Sequence, residues 1–155
     1  MSEHDTAAAA KTDARATGDA LSEAELARLR EIFEGVHYAR FLGMRLVEAE
    51  RGAASVALEL REELTRHEGL MHGGALASLM DTASAFAVLS TLAEGERTVT
   101  VDLTVHYLRP VLAGEVTARA RVLRKGRRIA TLTIEATDSE GALAATAVTT
   151  YAVLS

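Results

Sequence analysis

Asp81 is the only charged side chain in a long run of apolar or small residues at 74–93. It lies nine positions after the histidine of the triplet His72-Gly73-Gly74. Burying a carboxylate is costly unless it is paired or hydrogen-bonded, so a lone acid in such a run needs a reason. A carboxylate in an apolar pocket is also a stronger base than one in water. We therefore predict general-base chemistry for Asp81, with a satisfied structural carboxylate as the alternative.

The two glycines before this run indicate a second chemical group, the backbone amides at a helix N-terminus. Such amides point out of the helix, and the helix dipole favours negative charge beside them. Gly73 and Gly74 let a carbonyl oxygen approach this backbone without a side chain in the way. They also permit a tight turn into the helix, and the two interpretations are compatible. His72 we interpret first as a hydrogen-bonding residue at the helix start and second as a proton shuttle.

Composition limits the class of protein. The chain has 155 residues, is 48% hydrophobic and 25% charged, and carries a net charge of −5, which favours one globular domain and argues against nucleic acid or an anionic membrane as its main partner. Residues 1–20 read as a disordered tail and 21–155 as the single domain. The absence of cysteine excludes thiolate catalysis and Cys-ligated zinc, and the scattered histidines predict no metal. Without a signal or spanning segment, a cytoplasmic location is expected.

The elements that must position these residues follow from periodicity and turn signals. A capping box at Ser22 and Glu25 starts a short helix that ends near Gly35. A hairpin is predicted at 44–50 and 53–60, followed by the long helix at 73–93. Further strands are predicted at 98–108, 114–123, 129–137 and 143–153. Because most of the turns are short, the sheet must be antiparallel, which gives an α+β fold.

The strand at 98–108 alternates strictly between apolar and polar residues. The apolar set is predicted to face one way and the polar set, which includes Thr100, the other. Thr100 is accordingly either a functional residue or an ordinary solvated sheet position.

Taken together, the motifs resemble the hotdog-fold acyl-CoA thioesterases of the phenylacetate-pathway (PaaI-like) type over residues 41–153. The resemblance is carried by His72-Gly73-Gly74, Leu79-x-Asp81-x-Ala83, Thr100-Val101-Asp102-Leu103, Tyr107-Leu108-Arg109-Pro110 and Gly126-Arg127. It implies an antiparallel sheet of five to six strands wrapped around one long central helix. It also implies hydrolysis of an acyl-CoA thioester to a free acid and CoA, with no cofactor because CoA is part of the substrate.

The resemblance also implies roles for individual residues. The Gly73 amide would polarise the thioester carbonyl, Asp81 would activate water or act as nucleophile, and Thr100 would help to place the water. Where the family usually has Asn or Gln to assist carbonyl binding, this sequence has Arg66, followed by His67. Arg66 is therefore a donor to the carbonyl, a ligand of a CoA phosphate or a solvated side chain.

Further substrate contacts are also predicted. Gly74, Arg66 and His67 are candidates near the thioester, while the basic cluster at 124–128, with Arg127 and Arg128, is either a charged turn or a site for the CoA phosphates. Aryl or medium-chain acyl groups fit the apolar residues near the site, although such residues are more often core: Phe41, Leu42, Met44, Met71, Met80 and Phe86.

One chain cannot bring the two chemical groups together. Nine residues of helix span about 13 Å, whereas a reacting centre must lie within about 3 Å of both groups. We therefore expect a homodimer in which Asp81 of one subunit faces the Gly73 amide of its partner, as the resemblance also implies, with a dimer of dimers common among relatives. Two alternatives to the thioesterase remain, a hotdog hydratase or dehydratase and a non-catalytic acyl-CoA sensor.

Overall fold

The computed structural model describes residues 18–155. Most of the predicted disordered tail falls on residues 1–17, which lie outside the described part of the chain. The described chain begins against the turn at Arg51. The Gly18 N–H donates to the Arg51 carbonyl at 2.8 Å, and the Arg51 N–H donates to the Asp19 carbonyl at 3.0 Å.

Two helices precede the sheet. Helix α1 (Glu23–Gly35) begins with the predicted capping box, because the Glu25 N–H donates to Ser22 Oγ and the Ser22 N–H donates to the Glu25 carboxylate. Its buried residues are Leu29 and Phe33. Helix α2 (His37–Leu42) was not predicted, since its six residues are too few to show a helical period. The remaining elements are β1 (Arg45–Glu50), β2 (Ala53–Glu59), a 3₁₀ turn (Glu62–Leu64), α3 (Gly73–Leu89), β3 (Arg97–Tyr107), β4 (Glu115–Lys125), β5 (Ile129–Thr137) and β6 (Leu143–Leu154).

The six strands form one antiparallel sheet in the order β1-β2-β4-β5-β6-β3. The predicted α+β fold is confirmed, and so is the expected number of strands. On β4, β5 and β6 every second residue is buried, which gives the sheet one inner face. Strand β3 lies at an edge of the sheet, where β6 is its one partner among the strands of residues 18–155.

Helix α3 lies against the inner face of the sheet and contacts all six strands. Nine of its 17 residues are buried, as the apolar run predicts. The predicted end near residue 93 is wrong, because α3 stops at Leu89 with Ser90 as its cap. The Ser90 hydroxyl donates to the Ala87 carbonyl and accepts the Gly52 N–H at 2.7 Å, so a contact with the β1–β2 turn fixes the end of the helix.

The predicted strict alternation of β3 is also wrong. Its pairing with β6 shifts register between Thr100 and Asp102, so Val101 occupies a β-bulge. Before the bulge, Thr100 is half-buried while Val99 and Val101 are 53% and 59% exposed. After the bulge, Leu103 is half-buried instead. The extra residue reverses which face the even-numbered positions take, and it turns Thr100 toward the helix.

No helix within residues 18–155 has the length and apolar character needed to cross a membrane.

Candidate active site

Asp81 lies in the middle of α3, half-exposed, with hydrogen bonds to the last two strands of the sheet order. The Thr100 hydroxyl donates to Asp81 Oδ1 at 3.0 Å, and the Tyr151 hydroxyl lies 2.8 Å from the same oxygen. The Tyr151 hydroxyl also lies 2.9 Å from the Asp81 carbonyl oxygen. Within residues 18–155 no donor bonds to Oδ2. One oxygen of the carboxylate is therefore held and the other is open.

Tyr151 was missed by the sequence analysis. It is 1% exposed, and burial raises the pKa of its phenol well above the usual range, so the group stays protonated and donates. A signal was present in the sequence, because position 151 continues the alternation of Ala147 and Thr149 on the buried face of β6. A buried tyrosine hydroxyl needs a polar partner, and Asp81 is the one charged residue of the central helix.

The N-terminal end of α3 carries the other predicted group. His72 is the N-cap, and its Nδ1 accepts the Gly74 N–H at 2.9 Å. His72 is therefore a hydrogen-bond acceptor at the helix start, which was the first of its two interpretations. The same contact occupies the Gly74 N–H. The Gly73 N–H, in contrast, has no acceptor within residues 18–155. Of the two predicted glycine amides, only Gly73 is free to bind a carbonyl oxygen.

Tyr107 packs closely against Gly73. Its hydroxyl donates to the Gly73 carbonyl at 2.9 Å. A Cβ at Gly73 would lie 3.2 Å from the Tyr107 ring, closer than an ordinary van der Waals contact. The first turn of α3 is therefore held between His72 on one side and Tyr107 on the other.

The structure does not bring Gly73 and Asp81 together within one chain. Gly73 is the first residue of α3 and Asp81 lies eight residues further along the same continuous helix. Eight residues span about 12 Å at about 1.5 Å each. The separation expected from the sequence is thus present in the fold.

Arg66 and His67 lie in a turn before the helix. The Arg66 N–H donates to the Leu70 carbonyl at 2.8 Å, and Gly69 adopts a left-handed backbone with a φ of 76°. The Arg66 guanidinium pairs with the Glu68 carboxylate, and both side chains are 51% exposed. His67 is 86% exposed at its side chain. Arg66 is therefore an anion-binding side chain already engaged with a carboxylate at the surface.

The basic cluster forms the turn between β4 and β5. Lys125 pairs with Glu96 at 3.2 Å. Arg127 and Arg128 are exposed, and neither guanidinium has an acidic partner within residues 18–155. Both arginines are available to anions from solvent.

The predicted apolar pocket residues divide sharply. Phe41 is 75% exposed on α2. The other five candidates are buried in the core: Leu42, Met44, Met71, Met80 and Phe86. An open cleft of about 460 Å³ is lined by Phe41 together with His37 and Arg40, and none of the predicted catalytic residues lines it. Of the six candidate acyl-pocket residues, Phe41 is the one whose side chain is exposed on the surface of the single chain.

The chain is similar to several thioesterases in sequence and to several solved structures in fold. Human acyl-coenzyme A thioesterase 13 is 33% identical over 116 residues, which cover 71% of this chain and 82% of the relative. The PaaI protein from the phenylacetic acid degradation operon of Escherichia coli superposes with a TM-score of 0.80 at 27% identity, covering 88% of this chain and 97% of that one. A conserved protein of Pseudomonas aeruginosa superposes with a TM-score of 0.73 at 36% identity, covering 76% and 94%.

These structures confirm the expected hotdog fold, in which the antiparallel sheet wraps around α3. Residues 68–145, which include α3 and β3 with Gly73, Asp81 and Thr100 but end before Tyr151, match the family model described as the thioesterase superfamily. The chain therefore belongs to the thioesterase superfamily, the enzyme class that its sequence motifs predict.

Proposed function

We propose that this protein hydrolyses the thioester of an acyl-CoA to a free acid and CoA, with Asp81 as general base or nucleophile and the Gly73 amide as donor to the carbonyl. The observation that carries the proposal is the state of the Asp81 carboxylate, with Oδ1 held by Thr100 and Tyr151 and Oδ2 open. An open, oriented carboxylate oxygen can take a proton from water or attack a carbonyl carbon.

The reaction follows from these groups. As a base, Oδ2 takes a proton from water while the water oxygen attacks the thioester carbon. As a nucleophile, Oδ2 itself attacks and forms a mixed anhydride, which water then cleaves. In either route negative charge develops on the carbonyl oxygen, and a free amide at the positive end of a helix stabilises it. Collapse of the resulting tetrahedral adduct breaks the carbon–sulfur bond, and CoA leaves as the thiolate. In the nucleophilic route this collapse is the step that forms the mixed anhydride, before water cleaves it. The Thr100 hydroxyl donates to Asp81 and keeps lone pairs that can accept a hydrogen bond from water.

The proposed substrate is an aryl- or medium-chain acyl-CoA. CoA as the thiol is supported by the name of the human relative, an acyl-coenzyme A thioesterase. An aryl acyl group is supported by the Escherichia coli protein, which belongs to a phenylacetic acid degradation operon. The guanidinium groups of Arg127 and Arg128, which have no acidic partner among residues 18–155, suit the phosphates of CoA, because arginine binds phosphate oxygens with two parallel N–H donors.

The proposed active unit is a homodimer with shared sites. Gly73 and Asp81 of one chain are too far apart to hold one thioester, so the second group must come from another copy. Strand β3 supports this, since its outer edge pairs with no strand within residues 18–155 and carries the exposed Val99 and Val101. A long, apolar, open strand edge is normally covered by another chain.

Hydrolysis of a panel of aryl- and medium-chain acyl-CoAs, followed by release of free thiol, tests the activity. A thioesterase releases one thiol for each acid formed. A hydratase instead changes an enoyl-CoA without releasing thiol, and a sensor binds acyl-CoA without changing it. Binding without thiol release from any member of the panel would refute the proposal.

The shared site can be tested with two inactive variants, Asp81→Asn and Gly73→Pro. When they are refolded together, some dimers contain one chain of each kind, and in these one site carries both changes and the other carries neither. That intact site should restore activity to at most about half per mixed dimer. Mixed dimers as inactive as either parent would show that Asp81 acts with donors of its own subunit.

A further inference from the structure

Tyr151 combines deep burial with a contact to the one acid of the central helix. Its side chain is 1% exposed, so it cannot touch a substrate that approaches the chain from solvent. Its hydroxyl lies 2.8 Å from Asp81 Oδ1 and 2.9 Å from the Asp81 carbonyl oxygen. Both are acceptors when the acid is ionised, so the tyrosine is the donor, and its single proton is shared between the carboxylate and the backbone carbonyl of Asp81.

Thr100 completes this arrangement. In the register of β3 against β6, Thr100 lies directly opposite Tyr151, and the bulge at Val101 follows at once. Both members of this cross-strand pair donate to the same oxygen, Oδ1. Two donors at Oδ1 fix the plane of the carboxylate and lower the electron density of that oxygen. Oδ2 is left as the basic oxygen.

From this geometry we propose that Tyr151 is a positioning residue of the active site, which holds Oδ1 of Asp81 so that Oδ2 meets the water or the thioester. The proposal rests on the proposed thioesterase function. It predicts that loss of the Tyr151 hydroxyl lowers kcat only when Asp81 is present. A purely structural hydroxyl, satisfied by the Asp81 carbonyl, would instead affect stability and leave turnover alone.

Tyr151→Phe is the direct test, because it removes one oxygen and keeps the ring. Thr149→Val is the matched control. Thr149 lies on the same face of β6, is fully buried, and donates its hydroxyl to the Asp102 carbonyl at 2.6 Å without contacting Asp81. Both substitutions remove a buried hydroxyl from one strand, so their melting temperatures show whether the losses of stability are comparable.

We expect Tyr151→Phe to lower kcat about tenfold with KM within about twofold of wild type, the pattern of a lost contact to a charged reacting group. Thr149→Val should leave kcat within about twofold. In an Asp81→Asn background, measured in single turnovers, Tyr151→Phe should change the residual rate by less than about twofold, because the group it acts through is gone.

A wild-type kcat in Tyr151→Phe overturns the positioning role, as does an equal loss with and without Asp81. Those results leave the proposed function intact, since wild-type protein still releases thiol. Failure of the wild-type protein to release thiol from any acyl-CoA overturns the proposed function, and the positioning role with it.

Discussion

The N-terminal end and the middle of α3 hold the two halves of the proposed site, and they are built differently. At the N-terminal end the proposed reacting group is the Gly73 backbone amide, and the neighbouring His72 caps the helix by accepting the Gly74 N–H. In the middle the proposed reacting group is the side chain of Asp81, whose donors come from 19 and 70 residues further along the chain. The first half depends on local sequence. The second depends on the register of the sheet.

This difference predicts different sensitivities. A backbone amide survives most substitutions around it and is lost only when position 73 itself changes. The orientation of the carboxylate depends on Thr100 and Tyr151, and therefore on the bulge that aligns β3 with β6. Substitutions that remove the Thr100 or the Tyr151 hydroxyl should disturb the Asp81 half of the site and leave the Gly73 half in place.

The largest expected effect comes from the middle of the helix. Asp81→Asn keeps the shape of the side chain and its acceptor for Tyr151, but removes the base, so kcat should fall by about a hundredfold or more. The melting temperature should show a folded protein. Turnover within about threefold of wild type in a folded sample would contradict the assignment of Asp81.

At the N-terminal end, Gly73→Pro and Gly73→Ala separate the amide from the space beside it. Both add a Cβ near the Tyr107 ring, but only proline removes the N–H. Proline is tolerated at the first helical position, and His72 already has the extended backbone (φ −66°, ψ 132°) that proline requires before it. We expect about a hundredfold loss of kcat for proline and about fivefold or less for alanine. Equal losses would assign the effect to Tyr107 instead of the amide.

The same contrast explains what the sequence could predict. The capping box at Ser22, the glycine pair before α3 and the turns between strands are local patterns, and each element that they define is present in the fold. Asp81 could likewise be singled out from the sequence. A charged residue within an apolar run can be recognised without knowing which strands pack against the helix.

Features fixed by distant contacts were missed. Residues 90–93 continue a helical pattern, yet α3 ends because Ser90 binds Gly52, 38 residues away. Strand β3 alternates without a break, yet its pairing with β6 inserts a bulge at Val101. The hydrogen bond between Tyr151 and Asp81 also joins β6 to α3, and no local sequence pattern predicts that these two elements meet at these residues.

Substitution of Arg66 tests whether a side chain, in addition to the Gly73 backbone amide, takes part in the N-terminal half of the proposed site. Its exposed guanidinium already pairs with Glu68, so we expect it to bind an anion of CoA and not the carbonyl. Arg66→Ala should raise KM about threefold and leave kcat within about twofold. Glu68→Gln, which removes the competing carboxylate, should lower KM. A fall in kcat with unchanged KM would make Arg66 a donor to the carbonyl, and no change in either would leave it in solvent.

The smallest effect is expected at the C-terminal end of α3, where the contacts hold the fold and no reacting group is present. Arg51 donates to the Glu25 carboxylate at 2.7 Å and to the Ser90 carbonyl at 3.3 Å. The hydrogen bond from Arg51, with those from Ser22, lowers the pKa of Glu25 from 4.5 to about 2.

Because the folded pKa of Glu25 is lowered, its contribution to the free energy of unfolding is complete above pH 4.5 and is lost as the pH falls toward about 2. The Glu25 side chain is 42% exposed, so water and salt screen the pair and the effect is small. Denaturant unfolding of wild type and Glu25→Gln over this pH range should show a difference that shrinks with acid. Glu34→Gln, an exposed position on the same helix, should show no such trend. If Glu25→Gln also lowered kcat at neutral pH, the C-terminal end of α3 would be coupled to the reaction, and the contrast between the parts of this helix would fail.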